Sequence, residues 1–238
     1  MPPFDVVRAS QELEGRSPAQ ILRWATQHAG PRIAFVTGLG VEGCVLIDVI
    51  ARAKLPIDLF TLDTGLLFDE TYELWRRLET IYRVSIRGLR PAQTLEEQAT
   101  QFGPALWERD PDRCCEQRKV ISVRRTLARF DSWVTPIRRD QTPERGSAQI
   151  VEMDRAFHLV KINPLVAWSH DDVWAHVFAN DVPINPLHHK GYPSIGCKPC
   201  TSAIVRGEEL RAGRWRNWEK RECGLHVAPA RARKGDNV

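Results

Sequence analysis

The sequence predicts an α/β fold, an open, mostly parallel twisted sheet with helices on both faces. Short apolar runs rich in β-branched and aromatic residues recur along the chain, the first two at residues 32–37 and 57–62. A segment with helical character, residues 44–53, separates them, and a glycine-rich turn at residues 38–43 joins the first run to that segment. This strand–loop–helix–strand order is typical of a parallel βαβ unit.

The chain before the sheet predicts a small helical appendage, residues 1–30. Residues 1–16 are polar with little periodicity and are expected to pack loosely. Ser17 followed by Pro18 is a typical helix start, because serine caps the free N–H groups and proline suits the first helical position.

After the second strand the alternation of helices and strands continues. We expect helices at residues 70–82, 94–101, 113–129 and from Ser169 onward, and strands at residues 84–86, 132–137 and 157–162. Residues 31–204 therefore form the α/β domain. A charged and aromatic segment, residues 205–238, follows it, and its last part, residues 227–238, is expected to be disordered.

The turn at residues 38–43 matches the G-x-G-x-x-G pattern of dinucleotide-binding loops, and Asp63 ends the next strand where a ribose ligand would stand. Backbone N–H groups of such a loop can hold phosphate. A nicotinamide-dependent dehydrogenase is one alternative, and a plain tight turn is another. The cysteines described next count against the dehydrogenase, because hydride transfer to a nicotinamide has no use for them.

Five of the six cysteines form two pairs in the sequence and a single residue: Cys114 with Cys115, Cys197 with Cys200, and Cys223 alone. Two pairs of thiolates predict a metal site, and the separate thiol predicts a nucleophile. Neighbouring side chains in a helix diverge by about 100°, so an adjacent pair suits the several irons of a 4Fe–4S cluster better than one zinc ion. Zinc and buried, unreactive cysteines remain alternatives, and Cys44 is interpreted as a core residue.

Basic residues stand where an anionic substrate would need them. Arg138 and Arg139 follow a predicted strand, and two arginines at a strand end suit phosphate or sulfate. Lys119 lies four residues after Cys115, on the same helix face. Arg211 and Arg214 also have the character of anion ligands, although a solvated basic surface is an equal alternative. Neighbouring arginines of the predicted helix at 113–129, Arg118 among them, are expected to be mostly exposed.

Several blocks resemble the assimilatory adenylyl sulfate (APS) reductases, the iron–sulfur branch of the APS/PAPS reductase family. The main blocks are residues 113–115, 195–201 and 220–226, and further ones are residues 61–65, 138–143, 185–188 and 212–215. The resemblance implies an adenine-nucleotide alpha-hydrolase-like fold, a 4Fe–4S cluster held by the two cysteine pairs, and a catalytic Cys223 on a flexible C-terminal segment. It also implies these substrate-binding residues: Gly38, Gly40, Glu42, Asp63, Thr64, Lys119, Arg138, Arg139, Arg211, Arg214 and His226. The chain departs from the pattern at Gly43, where many members have Asp, and at Gly38–Leu39, which replaces a Phe-Ser-like pair.

The resemblance also implies a reaction. A thiolate attacks the sulfur of APS, AMP leaves, and a thiol of thioredoxin or a glutaredoxin-type protein, supplied in trans, then releases sulfite from an S-sulfocysteine. The cluster is expected to act electrostatically and structurally. Alternatives are a PAPS or dual-specificity reductase and a zinc-stabilised nucleotide-binding protein without redox activity.

Composition limits the partners. The net charge of +4 is too small to predict nucleic-acid binding, and no apolar run is long enough to predict a membrane span. Without a predicted signal peptide and with metal-type cysteine usage, we expect a cytoplasmic protein. The sequence leaves open whether it forms a homo-oligomer.

Overall fold

The computed structural model of this protein describes residues 2 and 4–226, and their core is a six-stranded sheet. The strands are β1 (Ile33–Thr37), β2 (Asp58–Leu62), β3 (Ile86–Leu89), β4 (Ser132–Val134), β5 (Val151–Asp154) and β6 (Leu159–Ile162). Their order is β3-β2-β1-β4-β6-β5, and every neighbouring pair is parallel except β5 with β6. The predicted α/β fold with a mostly parallel sheet is confirmed.

Helices connect these strands. They are α1 (Val6–Glu12), α2 (Pro18–His28), α3 (Val41–Arg52), α4 (Asp69–Tyr82), α5 (Leu95–Phe102), α6 (Leu106–Arg109), α7 (Pro111–Cys115), α8 (Ile121–Leu127) and α9 (His170–Asn180). A π-helical turn, Glu116–Val120, joins α7 to α8, so the predicted helix at residues 113–129 is one helical path with an inserted residue. Short 3₁₀ turns at Arg139–Gln141, Pro143–Arg145, Pro186–Lys190 and Lys198–Cys200 shape the loops.

Alternating residues of β1 enter two different apolar clusters, one on each face of the sheet. Ile33 and Phe35 belong to a large cluster built with α2, α3, α4 and α9. Ala34 and Val36 belong to a smaller one with side chains of α8. The period of two along a strand explains the division, and it confirms helices on both faces.

One expectation about the fold was wrong, and one strand was missed. The N-terminal residues do not pack loosely, because α1 lies against β5 with Ala9 and Leu13 buried, and the Ser10 hydroxyl accepts a hydrogen bond from the Val151 N–H at 3.4 Å. The antiparallel edge strand β5 was missed because its residues, Val-Glu-Met-Asp, do not form the apolar run by which the other strands were predicted. No helix among the described residues is long and apolar enough to cross a membrane.

Residues 201–226 wrap the domain as loops and turns, with an isolated bridge between Thr201 and Arg214. Their course depends on side-chain contacts rather than on a regular element. The predicted disorder of residues 227–238 lies outside the described residues.

Candidate active site

A cleft of about 820 Å³ opens where the β1–α3 loop, the loop after β4 and the C-terminal segment meet. It lies beyond the carboxyl ends of parallel strands, where open α/β sheets bind ligands. The structure brings together here many of the sequence-predicted substrate residues: Gly38, Gly40, Glu42, Arg138, Arg139, Arg211 and Arg214.

The β1–α3 loop presents main-chain donors to this cleft. Gly40 is the N-cap of α3, and no side chain caps the first turn of that helix. The first N–H groups of a helix lack partners within it, so an anion is a suitable partner. Leu39 adopts a positive φ of 57°, and its N–H donates to the Thr37 hydroxyl at 3.0 Å, which holds the loop in shape.

The two arginines after β4 differ in their surroundings. Arg138 is buried, and its guanidinium lies 3.2 Å from Glu42 and 2.9 Å from Asp140 in the cleft wall. The Nε of Arg139 instead donates to the Ala148 carbonyl at 2.9 Å, and its Nη1 lies 3.3 Å from Glu14. Arg138 is therefore the better placed of the two to meet a ligand.

The four paired cysteines are free thiols grouped beside the cleft. Cys114 and Cys115 close α7, and Cys197 and Cys200 flank a 3₁₀ turn. The Thr64 hydroxyl lies 3.3 Å from the Cys197 sulfur. Among the described residues, no three His, Cys, Asp or Glu side chains converge closely enough for a single metal ion. Four thiols without a disulfide are nevertheless the donor set that an iron–sulfur cluster uses, with each sulfur bound to a different iron.

One buried ammonium lies among the thiols. Burial opposes the charge of Lys119, but the nearby Cys197, Cys115 and Cys223 outweigh it, and the pKa of Lys119 is raised above its ordinary value. The predicted position of Lys119 near the cysteines is thus observed, in a buried setting rather than a solvated one. The positive charge of Lys119 thus lies close to members of both cysteine pairs and to Cys223.

The thiols respond to the same surroundings. Burial opposes ionisation of Cys197, yet Lys119, the Thr64 hydroxyl and Arg214 together hold the pKa of this thiol below its ordinary value. Burial and the neighbouring thiols raise the pKa of Cys114 to about 12 and that of Cys200 to about 11. Of the four, Cys197 is therefore the thiol whose surroundings most favour the thiolate form.

Asp63 and Thr64 lie at the end of β2, near the cysteines. The Asp63 carboxylate accepts hydrogen bonds of 2.8 Å from Tyr72 and from Arg90, and burial opposes but does not cancel their lowering of its pKa. Thr64 contacts Cys197 as described above. Their role at a substrate stays a prediction.

Cys223 is half-buried on the C-terminal segment, and its charge acts on Lys119 and Cys115. His226, three residues later, is partly buried and stacks on Trp133 with ring centroids 5.8 Å apart. Burial, with Arg145, Lys161 and Arg211 nearby, lowers the pKa of His226 well below its ordinary value, so the ring is neutral at neutral pH.

Three charged residues of this region were not predicted as part of it. Arg118 was expected to be exposed, but it is buried, and its guanidinium donates to the Thr64 carbonyl at 2.6 Å and to Gln98 at 3.1 Å. Arg145 and Glu222 form a buried pair with Nε–Oε1 at 2.7 Å. Only the adjacency of Arg118 to Lys119, and of Glu222 to Cys223, was a signal in the sequence.

Comparison with known proteins agrees with this geometry. The profile of the phosphoadenosine phosphosulfate reductase domain matches residues 32–203. Two curated relatives are named adenosine 5′-phosphosulfate reductases. The one from Halalkalibacterium halodurans is 40% identical over 223 residues, 93% of this chain and 96% of the relative. The one from Bacillus subtilis is 44% identical over 207 residues, 87% of this chain and 89% of the relative.

Solved structures give the same result. The phosphoadenylyl-sulfate (PAPS) reductase of Candida auris, as a phosphate complex, has a TM-score of 0.74 at 30% identity and covers 84% of this chain and 96% of its own. The FMN adenylyltransferase of Candida glabrata, at 15% identity and a TM-score of 0.58 over 91% of this chain and 73% of its own, shares the fold alone. Sequence, architecture and the matched profile together show that this chain belongs to the phosphoadenosine phosphosulfate reductase family.

Proposed function

We propose that this protein reduces adenylyl sulfate to sulfite and AMP, with Cys223 as the nucleophile. One observation carries the proposal. Arg214 lines the cleft, and its charge acts both on Lys119 and on Cys197. The nucleotide-sized cleft and the cysteines are therefore parts of a single site. The curated relatives described above carry the name of this activity.

The chemistry proceeds in two exchanges at sulfur. The Cys223 thiolate attacks the sulfate sulfur of APS, a sulfur–sulfur bond forms, and the sulfur–oxygen bond to AMP breaks. A thiolate of the reductant then attacks the Cys223 sulfur and expels sulfite, leaving a mixed disulfide. The second thiol of the reductant resolves it, so that two thiols are oxidised to a disulfide while sulfate is reduced to sulfite.

Basic side chains would hold the substrate and the sulfate group that is transferred from it. Arg138 and the first turn of α3 would hold the nucleotide phosphate, whereas Arg211 and Arg214 would hold the sulfate. Arg211 is partly buried, which lowers its pKa only to about 10, and its guanidinium stays charged at neutral pH. Lys119 offsets the charge of the thiolates and of the incoming anion.

Cys114, Cys115, Cys197 and Cys200 would hold a 4Fe–4S cluster. The group, when bound, would supply fixed charge and tie α7 to the loop after α9. A single zinc ion is the alternative, and the adjacent pair Cys114–Cys115 suits several irons better, because neighbouring side chains in a helix diverge.

The finer assignments are part of the same proposal. The reductant is a thioredoxin or glutaredoxin-type protein that acts in trans in the cytoplasm. Residues 205–226 act as a segment distinct from the domain at residues 31–204. A PAPS or dual-specificity reductase is the second candidate, because the Candida auris relative is named for PAPS.

The deciding experiment compares Cys223→Ser with Cys44→Ala, because the Cys44 side chain is buried in the large apolar cluster and does not line the cleft. We expect Cys223→Ser to bind APS but to form no sulfite, and Cys44→Ala to form sulfite. With APS and no thiol, the wild type should accumulate S-sulfonated Cys223, detectable by peptide mass spectrometry. Sulfite formation by Cys223→Ser at the wild-type rate would refute the nucleophile. Faster turnover with PAPS than with APS would favour the second candidate.

A further inference from the structure

Glu222, the residue before Cys223, is held by a bidentate ion pair. The Arg145 Nε donates to one carboxylate oxygen at 2.7 Å, and Nη2 donates to the other at 2.8 Å. The side chains of Arg145 and Glu222 are only 8% and 7% exposed. A buried fork of this kind has a defined geometry, in contrast to a mobile surface pair.

The arginine of this pair lies behind the cleft wall, next in sequence to residues that line the cleft. Arg145 closes the 3₁₀ turn Pro143–Arg145, and its guanidinium also donates to the side chain of Gln141. Gln141 in turn accepts the main-chain N–H of Arg138 at 3.1 Å. Glu222 is thus connected, through one arginine and one glutamine, to a residue proposed to bind the nucleotide.

Two further contacts hold the same stretch. The Thr142 hydroxyl donates to Glu222 at 3.3 Å, and the Arg211 guanidinium donates to the Arg221 carbonyl at 2.8 Å. Both residues before Cys223 are therefore fixed by groups of the cleft wall.

The other side of Cys223 is anchored differently. Gly224 has a φ of 88°, a conformation that favours glycine, and it redirects the chain into the domain. Leu225 is buried in the smaller apolar cluster, and His226 stacks on Trp133. Cys223 is held between a polar anchor before it and an apolar anchor after it, within a segment that has no helix or regular strand.

From this geometry we propose that Glu222, acting through Arg145, is a positioning residue for the Cys223 thiol. The inference rests on the proposed function of Cys223. The Cys223 thiol must first attack a bound anion and then be reached by a bulky reductant protein. It therefore needs a defined position in the first step and freedom to move in the second, which a helix or strand would not allow. A polar anchor centred on Glu222 satisfies both needs, because weakening its ion pair loosens the thiol while the apolar anchor remains.

The test uses the full-length protein and the variant Glu222→Gln, which keeps the shape and removes the charge. Glu222→Asp keeps the charge on a shorter side chain. The matched control is Glu208→Gln, because Glu208 also pairs with an arginine of the C-terminal segment, Arg216 at 2.7 Å, but Glu208 itself does not line the cleft and is not adjacent to Cys223. Thermal unfolding of each variant verifies that it is folded.

Two readouts are measured. The first is the rate at which iodoacetamide alkylates Cys223 without nucleotide, followed by peptide mass spectrometry, which needs no enzymatic activity. The second is sulfite formation, resolved into kcat and KM for APS. For Glu222→Gln we expect alkylation to be faster by roughly tenfold and kcat to fall by roughly tenfold, the effect of losing a charge-assisted hydrogen bond, with KM nearly unchanged. Glu222→Asp should recover part of both, and Glu208→Gln should match the wild type.

Wild-type alkylation and kcat in Glu222→Gln would overturn the positioning role. So would an equal change in Glu208→Gln, since the effect would then be general to the segment. Should Glu222→Gln fail to fold, the reciprocal variant Arg145→Glu/Glu222→Arg replaces it. A wild-type alkylation rate in this variant would support the positioning role, and a faster rate would overturn it. Failure of the proposed function can be distinguished from failure of the positioning role. It would appear as sulfite formation by Cys223→Ser, whatever the alkylation rates of the Glu222 variants.

Discussion

The Nε of Arg118 donates a hydrogen bond of 2.6 Å to the main-chain carbonyl of Thr64, which lies 54 residues earlier in the chain. The hydroxyl of the same threonine lies 3.3 Å from the sulfur of Cys197. A buried guanidinium thereby joins the helical path that carries one cysteine pair to the strand end that contacts the other. The relationship makes Arg118 part of the framework of the site, although its position in the sequence suggested an exposed residue.

Replacing Arg118 by lysine should destabilise the fold. Lysine lacks the planar fork that reaches Thr64 and Gln98 together. We expect the free energy of unfolding to fall by about 1.5–3 kcal/mol, the range for hydrogen bonds to charged groups. Urea denaturation measures it. Arg124→Lys, on a half-exposed arginine of the same helical path, is the control and should change stability by less than about 0.5 kcal/mol. Equal effects of the two variants would contradict the assignment.

Removing one thiol of the proposed cluster should remove the metal. For wild-type protein purified without oxygen we expect a brown colour and about four irons per chain with acid-labile sulfide. Cys197→Ser should be colourless and less stable, because metal binding adds to the free energy of folding. Visible spectra and iron analysis measure both, and Cys44→Ala should keep its colour. A colourless wild type that carries one zinc would contradict the cluster.

The lowered pKa of His226 predicts a pH dependence of stability. The pKa of His226 is lowered in the folded state. Above a pH of about 6.5 the residue is neutral in both the folded and the unfolded protein, whereas just below that pH only the unfolded protein binds a proton there. Stability attributable to this residue should therefore be lost as the pH falls below about 6.5, with a slope of up to about 1.4 kcal/mol per pH unit.

The variant His226→Phe isolates this contribution, because phenylalanine can keep the stacking on Trp133 without titrating. Urea denaturation between roughly pH 7 and pH 5, the interval in which an ordinary histidine titrates, should show a shallower loss of stability in the variant than in the wild type. Identical slopes would show that His226 does not titrate differently in the two states.

The β1–α3 loop should reject a side chain at Gly43. A Cβ at Gly43 would collide with the Thr37 hydroxyl, which accepts the Leu39 N–H and supports the positive φ of that residue. We expect Gly43→Ala to lower the free energy of unfolding by about 1–3 kcal/mol, the range for overpacking. Gly38→Ala is the control, because a Cβ there meets open space. Equal urea-denaturation midpoints for Gly43→Ala and Gly38→Ala would contradict this, because they would show that the Thr37 side chain can move aside at little cost in free energy.

Much of the domain could be predicted because its signals are local. The parallel strands around β1 appear as apolar runs, and the start of α2 at Ser17–Pro18 is confirmed with a full capping box. Residues whose role depends on distant partners could not be predicted. The residues of β5 form no apolar run. Asp63 meets Arg90 because Arg90 follows β3, which pairs with β2, and it meets Tyr72 because α4 lies close to the end of β2.

The sequence by itself determined the class of fold, the two cysteine pairs with a separate Cys223, and the family, because periodicity, residue chemistry and motif spacing are properties of the chain order. Only the tertiary structure decided that Lys119 is buried among thiols and that Arg145 holds Glu222. The Arg145–Glu222 pair spans 77 residues. Whether a charged residue is solvated or buried depends on which distant segments fold over it, and no local pattern records that.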